Sequence, residues 1–159
     1  VITGIGQGFI VVTPLQIAYA AATLAGRGTA APPRLVDTTG PAQRVAHEAA
    51  DWDAVFAGMH AVVHGDRGTA RAIADRLPME IAGKTGTSQV FGRPADAEAE
   101  EDDANRPWFL RNHALFIAFA PYDEPEIAIA VVAEHGGGGA SVAAPVAAAV
   151  LCEALEAER

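Results

Sequence analysis

The sequence predicts a layered α+β (α/β) fold in which an antiparallel sheet is flanked by helices. Three observations carry this. Capped helical patterns fill the first half of the 159 residues, three short strand-like runs follow between about 79 and 135, and an apolar helix closes the chain. The last two strand-like runs are joined only by Pro121 to Glu126, which suits an antiparallel hairpin. Both faces of the runs are apolar, so helices are expected on both sides of the sheet. The length allows one domain, or a large part of one, with a real core.

The elements follow in order. After the glycine-rich stretch Thr3 to Gly8, Thr13 is an N-cap, Pro14 fits the first helical position and Gln16 completes a Thr-x-x-Gln capping box. Gly26 and Gly28 end this helix, whose packing face reads as Leu15, Tyr19, Ala22 and Ala25. Residues 31–40 read as a loop with one short extended piece. A second helix is expected from an N-cap at Asp51 to a stop at Gly65, turning Val55, Met59 and Val62 toward the core. Residues 65–78 read as a turn and a short helix capped by Thr69 and stopped by Pro78. The strands are expected within 79–91, 113–123 and 125–135. Then Gly136 to Gly139 form a flexible turn, and Ser141 caps a helix that runs to about Glu156.

Composition narrows the class. Half the residues are hydrophobic, many of them alanine, which reads as globular and tightly packed. A formal net charge of −9 argues against a nucleic-acid-binding domain, which needs a basic surface. Much of that acidity sits in residues 95–104, read as a solvated loop; it lacks the glycine and ligand spacing of a calcium loop. The single cysteine, Cys152, lies in an apolar helical pattern and reads as a small buried core residue. Neither a signal peptide nor a membrane span stands out, and the opening on Val1 in mid-pattern suggests a processed or excised piece.

The chemistry concentrates in Ile81 to Val90, IAGKTGTSQV. Gly83-Lys84-Thr85 has the look of a phosphate-binding loop. That motif needs a glycine five residues before Gly83, where this chain has Pro78, with no N–H to offer. It must also lead into a helix, and the residues after Lys84 look extended. Read instead as Lys-Thr-Gly on a strand beside a cleft, the segment has a mechanical logic. Lys84 puts a fixed positive charge where a substrate carboxylate can dock, and the hydroxyls of Thr85 and Thr87 add hydrogen bonds to it. Gly86, without a Cβ, admits close approach to the backbone, and the Thr87 N–H can pair with a substrate carbonyl and stabilise an oxyanion. Ser88, next on the strand, completes the substrate-binding set.

Together with residues 4–28, 62–70 and 112–140 and the terminal helix, the strand KTGTSQVFG resembles the C-terminal part of the transpeptidase domain of class B penicillin-binding proteins, most closely the elongation-type group. The hairpin sequence AFAPYD is the other specific feature. The resemblance implies the penicillin-binding transpeptidase / serine β-lactamase-like fold and a peptidoglycan D,D-transpeptidase that cross-links stem peptides through a serine acyl-enzyme and is trapped by β-lactams. It implies no cofactor, an inner-membrane, periplasm-facing location, and as partners the N-terminal part of the same protein, a glycan polymerase of the SEDS family and the elongation complex.

In that family the nucleophile is the serine of Ser-x-x-Lys, assisted by Ser-x-Asn. The two serines here, Ser88 and Ser141, begin neither motif. Residues 1–159 are therefore expected to be the C-terminal portion of a single domain. The nucleophile half would lie N-terminal to the GIGQG stretch, and the chain alone would be inactive. Two rival readings stand beside this one: a related hydrolase or β-lactam sensor resembling β-lactamases, and a non-catalytic scaffold or binding module. His60 and His64, four apart on a helix, have a zinc-compatible spacing but no obvious third ligand; a helix-terminal cation is the expected role of His64. His113 and His135 read as polar strand terminators, with His135 able to approach the cleft.

Overall fold

The computed structural model describes residues 11–36, 40–90 and 103–157. The glycine-rich stretch 3–8 and nearly all of the acidic run 95–104 lie outside the described residues. The elements are α1 (Pro14–Ala25), β1 (Thr29–Ala30), β2 (Gln43–Arg44), α2 (Ala49–His64), a 3₁₀ segment (Arg71–Arg76), β3 (Ala82–Ser88), β4 (His113–Ala120), β5 (Ile127–Ala133) and α3 (Ala144–Ala157).

The main sheet has the order β3-β4-β5 and is antiparallel throughout, with Lys84 opposite Ile117 and Phe116 opposite Val131. A two-stranded ribbon, β1-β2, stands apart from it. Alternation along β4 builds two cores. Ala114, Phe116, Ala118 and Ala120 face α3 and the 3₁₀ segment, where they meet Ala147, Leu151, Ile73 and Ile81. On the opposite face Phe119 meets Phe56 and Met59 of α2, with Ile117, Ala128 and, from α1, Leu24 and Ala25 packed around them. The expected helical cover on both faces is present.

Helix α1 carries the expected capping box: the Gln16 N–H donates to Thr13 Oγ1 (3.2 Å) and the Thr13 N–H to Gln16 Oε1 (2.8 Å). It ends at Gly26, whose N–H closes on Ala22 O. Its packing face differs from the expected one. Leu15 is exposed, and Ala21 is the buried residue of the helix. The residues of α1 that pack into the core beside Phe119 are Leu24 and Ala25, in its last turn.

Helix α2 begins three residues earlier than expected, with Glu48 in the N-cap position, and Asp51 lies in its first turn instead of capping it. Its buried stripe is Phe56, Met59 and Val63, while Val55 is exposed and Val62 half-buried. The aromatic ring decides this rotation, since Phe56 packs on Phe119 with ring centroids 4.8 Å apart. Gly65 caps the helix as expected.

The short helix after it is a 3₁₀ segment following Ala70, and Thr69 makes no cap hydrogen bond. The strands are shorter than their apolar runs, and β4 stops at Ala120 because Pro121 has no N–H for the ladder. The Glu126 N–H donating to Ala120 O (2.9 Å) closes the expected hairpin. Ser141 is not an N-cap. It lies inside a single π turn, Gly139–Ala143, that leads into α3, and its hydroxyl donates back to Gly138 O (3.2 Å). Gly139 to Ala157 is, by length and composition, long and apolar enough to cross a membrane, a property absent from the sequence reading. Its inner face, Ala144, Ala147, Ala148, Leu151 and Leu155, packs on the sheet, as for a core helix. Cys152 is half-buried on its flank, with Sγ 3.7 Å from Arg76 O.

Candidate active site

The Lys-Thr-Gly-Thr segment lies on β3, one of the two edge strands of the sheet, and no further strand runs beyond it among the described residues. Strand alternation puts Lys84 on the face of its partner Ile117, and Thr85 and Thr87 on the opposite face, with Phe116 and Ala114. Only a group lying along the strand's outer edge can meet side chains from both faces. The sequence-predicted residues Lys84, Thr85, Gly86, Thr87 and Ser88 thus all fall on one short edge.

Lys84 is the only lysine of the chain. Its Nζ donates to the Thr85 carbonyl (2.7 Å), and its ammonium meets no carboxylate among the described residues. In a chain of net charge −9, an exposed cation without a carboxylate partner is chemically able to pair with an external anion.

The glycines on either side of Lys84 have packing reasons as well. A Cβ on Gly83 would stand 2.5 Å from Phe116 Cζ, so this glycine, which invites a phosphate-loop reading, makes room for a core ring. Gly86 packs against Leu115, where a Cβ would come within 3.2 Å of the Leu115 Cβ. Gly139 in turn sits so closely on β3 and β4 that a Cβ there would overlap the carbonyl oxygens of Gly86 and Leu115. The run Gly136 to Gly139, expected as a flexible turn, is therefore in part a packing requirement.

A cavity of about 400 Å³ opens at the C-terminal end of β3. Thr87, Asp103, Arg111, Asn112, His135 and Ser141 line it, together with Gly136 to Gly138. Two features hold its walls. The Asp103 carboxylate accepts the Asn112 N–H (3.1 Å), and the Asn112 carbonyl accepts the Gly137 N–H (2.8 Å). His135, in the left-handed region (φ 56°), donates its N–H to His113 Nδ1 (2.9 Å) and sets its own Nδ1 3.2 Å from the Arg111 carbonyl. A carbonyl only accepts, so Nδ1 of His135 carries a proton. His113 opens β4 as expected, whereas His135 lies in the turn two residues beyond the end of β5 and reaches the cavity that Thr87 lines. Asp103, Arg111 and Asn112 escape a sequence reading because they come from a long connection with no local pattern.

His60 and His64 do not form a ligand pair. Their rings stack at 4.7 Å, His60 Nε2 lies 3.1 Å from Glu80 Oε2, and His64 Nε2 accepts the Ile81 N–H (3.1 Å). That bond occupies the lone pair a metal would need. Burial, then the nearby His60, holds the His64 pKa below its ordinary value. The expected helix-terminal cation is thus a neutral acceptor that ties α2 to the entry of β3.

Thr69, expected as a helix cap, instead sets its hydroxyl 3.0 Å from that of Thr85. Sequence spacing places the two 16 residues apart in different elements, and only the fold brings them together.

A helix-covered antiparallel sheet with Lys-Thr-Gly-Thr on an edge strand fits the class of penicillin-binding transpeptidase domains. The chain belongs to that family, whose model, described as the penicillin binding protein transpeptidase domain, matches residues 1–152. Within it the chain is 35% identical over 160 residues to the peptidoglycan D,D-transpeptidase MrdA of Haemophilus influenzae, covering 93% of this chain and 24% of that protein. The chain thus spans about a quarter of the length of such relatives. Among solved structures it is similar to Pseudomonas aeruginosa PBP2 (40% identity, TM-score 0.73, 94% of this chain and 31% of that one). It is also similar to Helicobacter pylori PBP2 in its complex with MreC (30% identity, TM-score 0.77, 91% of this chain and 25% of that one).

Proposed function

We propose that these residues form the carboxylate-docking and oxyanion side of the active site of a serine D,D-transpeptidase that cross-links peptidoglycan stem peptides. The observation that carries this reading is Lys84-Thr85-Gly86-Thr87 on an edge strand, with an ammonium that meets no carboxylate among the described residues and two threonine hydroxyls on the other face of the same strand. The nucleophile of Ser-x-x-Lys and the Ser-x-Asn element belong to a part of the protein outside residues 1–159, since neither motif occurs here.

In this mechanism the terminal D-Ala carboxylate docks on Lys84 and the Thr85 and Thr87 hydroxyls, and the substrate backbone runs along β3 past Gly86 and Ser88. The scissile carbonyl then faces the Thr87 N–H, which stabilises the oxyanion as the serine attacks. D-Ala leaves with a proton, and the amine of a neighbouring stem takes the acyl group. A β-lactam presents its own carboxylate to the same cradle and acylates the same serine. The protein would be held in the inner membrane facing the periplasm and would work with a SEDS-family glycan polymerase in an elongation complex; likeness to a PBP2 solved with MreC supports the last point.

The test is labelling with a fluorescent penicillin. The full-length protein should label on a serine outside this chain, and residues 1–159 alone should not label. Lys84→Ala should slow acylation about ten- to a hundredfold, the range of a lost hydrogen bond to a charged group. An unchanged acylation rate, or covalent labelling of the isolated chain, overturns the assignment.

A further inference from the structure

The contact between Thr69 and Thr85 has no explanation in packing. Both side chains keep access to solvent, and each hydroxyl could bond water equally well. Yet the backbone around Thr69 is held firmly. The Gly68 N–H donates to Gly65 O (2.9 Å), the Ala70 N–H to Val62 O (2.9 Å) and the Arg71 N–H to Gly68 O (3.1 Å). A Cβ on Gly68 would overlap the carbonyl oxygens of Ala61 and Val62, so the loop lies directly on the last turn of α2. Ala70 and Ile73, just beyond, are buried in the core. Thr69 is thus an exposed hydroxyl on a rigid mount, aimed at the strand that carries Lys84.

We infer that Thr69 is a positioning residue for the carboxylate cradle: it orients the Thr85 hydroxyl so that its proton points at the docked carboxylate. The inference rests on the function proposed above and adds a residue to it. The argument is one of counting protons. Each threonine hydroxyl has one proton to donate and two lone pairs to accept with, whereas a carboxylate only accepts. With no ligand, either threonine can be the donor of the 3.0 Å bond. Once a carboxylate docks, Thr85 must donate to it, and the Thr85 oxygen then accepts the proton of Thr69. The chain Thr69 to Thr85 to carboxylate runs in one direction only, and each bond polarises the next. Without the Thr69 hydroxyl, Thr85 is free to rotate, and its proton must be reoriented at each docking event.

The test compares acylation of the full-length protein by benzylpenicillin and by benzylpenicillin methyl ester, whose carboxylate is masked. Thr69→Val keeps the shape and removes the hydroxyl. It should lower the second-order acylation rate with the acid about three- to tenfold, the span of one neutral hydrogen bond, and leave the slower rate with the ester within twofold. Thr69→Ser should restore the rate with the acid. In a Thr85→Val background, Thr69→Val should have no further effect, because the two changes break one path. Equal slowing with acid and ester assigns Thr69 to loop structure alone and overturns the inference, as does an unchanged rate with the acid or additivity in the double variant. If the unaltered protein is acylated by neither compound, the proposed function itself fails, which is a distinguishable result.

Discussion

Lys84 and His64 show at single-residue scale how neighbours decide what a charge does. Lys84, on an exposed edge, donates to the Thr85 carbonyl and meets no carboxylate among the described residues, so its charge can pair with an incoming anion. His64, by contrast, has its ring nitrogen tied up by the Ile81 N–H and its protonated form disfavoured by burial and by His60. The pH consequence follows from the sign of the shift. The ordinary pKa is 6.5 and the folded value lies below it, so the unfolded chain takes up this proton first as pH falls. The stability held by neutral His64 is complete above about pH 6.5 and declines as pH drops below it. Denaturant titrations at pH 7.5 and 5.5 should show this decline. His64→Gln, which keeps an acceptor for Ile81 but cannot titrate, should flatten it. An identical pH dependence in the variant would exclude His64 as the cause.

At the scale of elements, α1 is a case in which local sequence suffices, because its start is written in Thr13, Pro14 and Gln16. Thr13→Ala should lower stability by about 1 kcal/mol, read from the denaturant midpoint, since it removes one half of the capping box. The turn before α3 is the opposite case. Four consecutive glycines suggest looseness, but Gly139 is pressed between β3 and β4 at Gly86 and Leu115. Both obstacles are backbone atoms that cannot swing aside. Gly139→Ala should therefore lower stability by about 1–3 kcal/mol, the usual range of overpacking, and should also slow penicillin acylation by displacing the Gly86 segment. If the melting temperature and the acylation rate both stayed at their unaltered values, the loop would not be packed as described.

At the scale of the molecule, β4 is the member both cores share. Phe116 fills one and Phe119 the other, and both are fully buried. Phe119→Ala should destabilise by about 3–5 kcal/mol, since it removes the ring against which Phe56 packs and leaves a cavity between α2 and the sheet. Calorimetry of the variant checks this; a loss below 1 kcal/mol would mean that α2 collapses into the gap. The strand runs, the hairpin and both helical layers were legible beforehand because apolar periodicity and turn residues are local signals. The orientation of α2 was not, because Val55 and Phe56 are both apolar and only the partner Phe119 selects between them. Thr69 and Ser141 were misread for a related reason. A hydroxyl next to a helical pattern reads as a cap until a competing partner, Thr85 or Gly138 O, comes into range.

By itself the sequence determined the capping box of α1, the glycine stops of α1 and α2, the three antiparallel strands, the strand assignment of Lys-Thr-Gly-Thr and the family it resembles, all of which rest on neighbours within a few residues. Only the tertiary structure decided that this strand lies at an edge of the sheet, that Gly83 and Gly139 serve packing, that His64 is an acceptor and that Thr69 meets Thr85. Each of those depends on atoms brought together from distant parts of the chain, and sequence spacing carries no record of such distances.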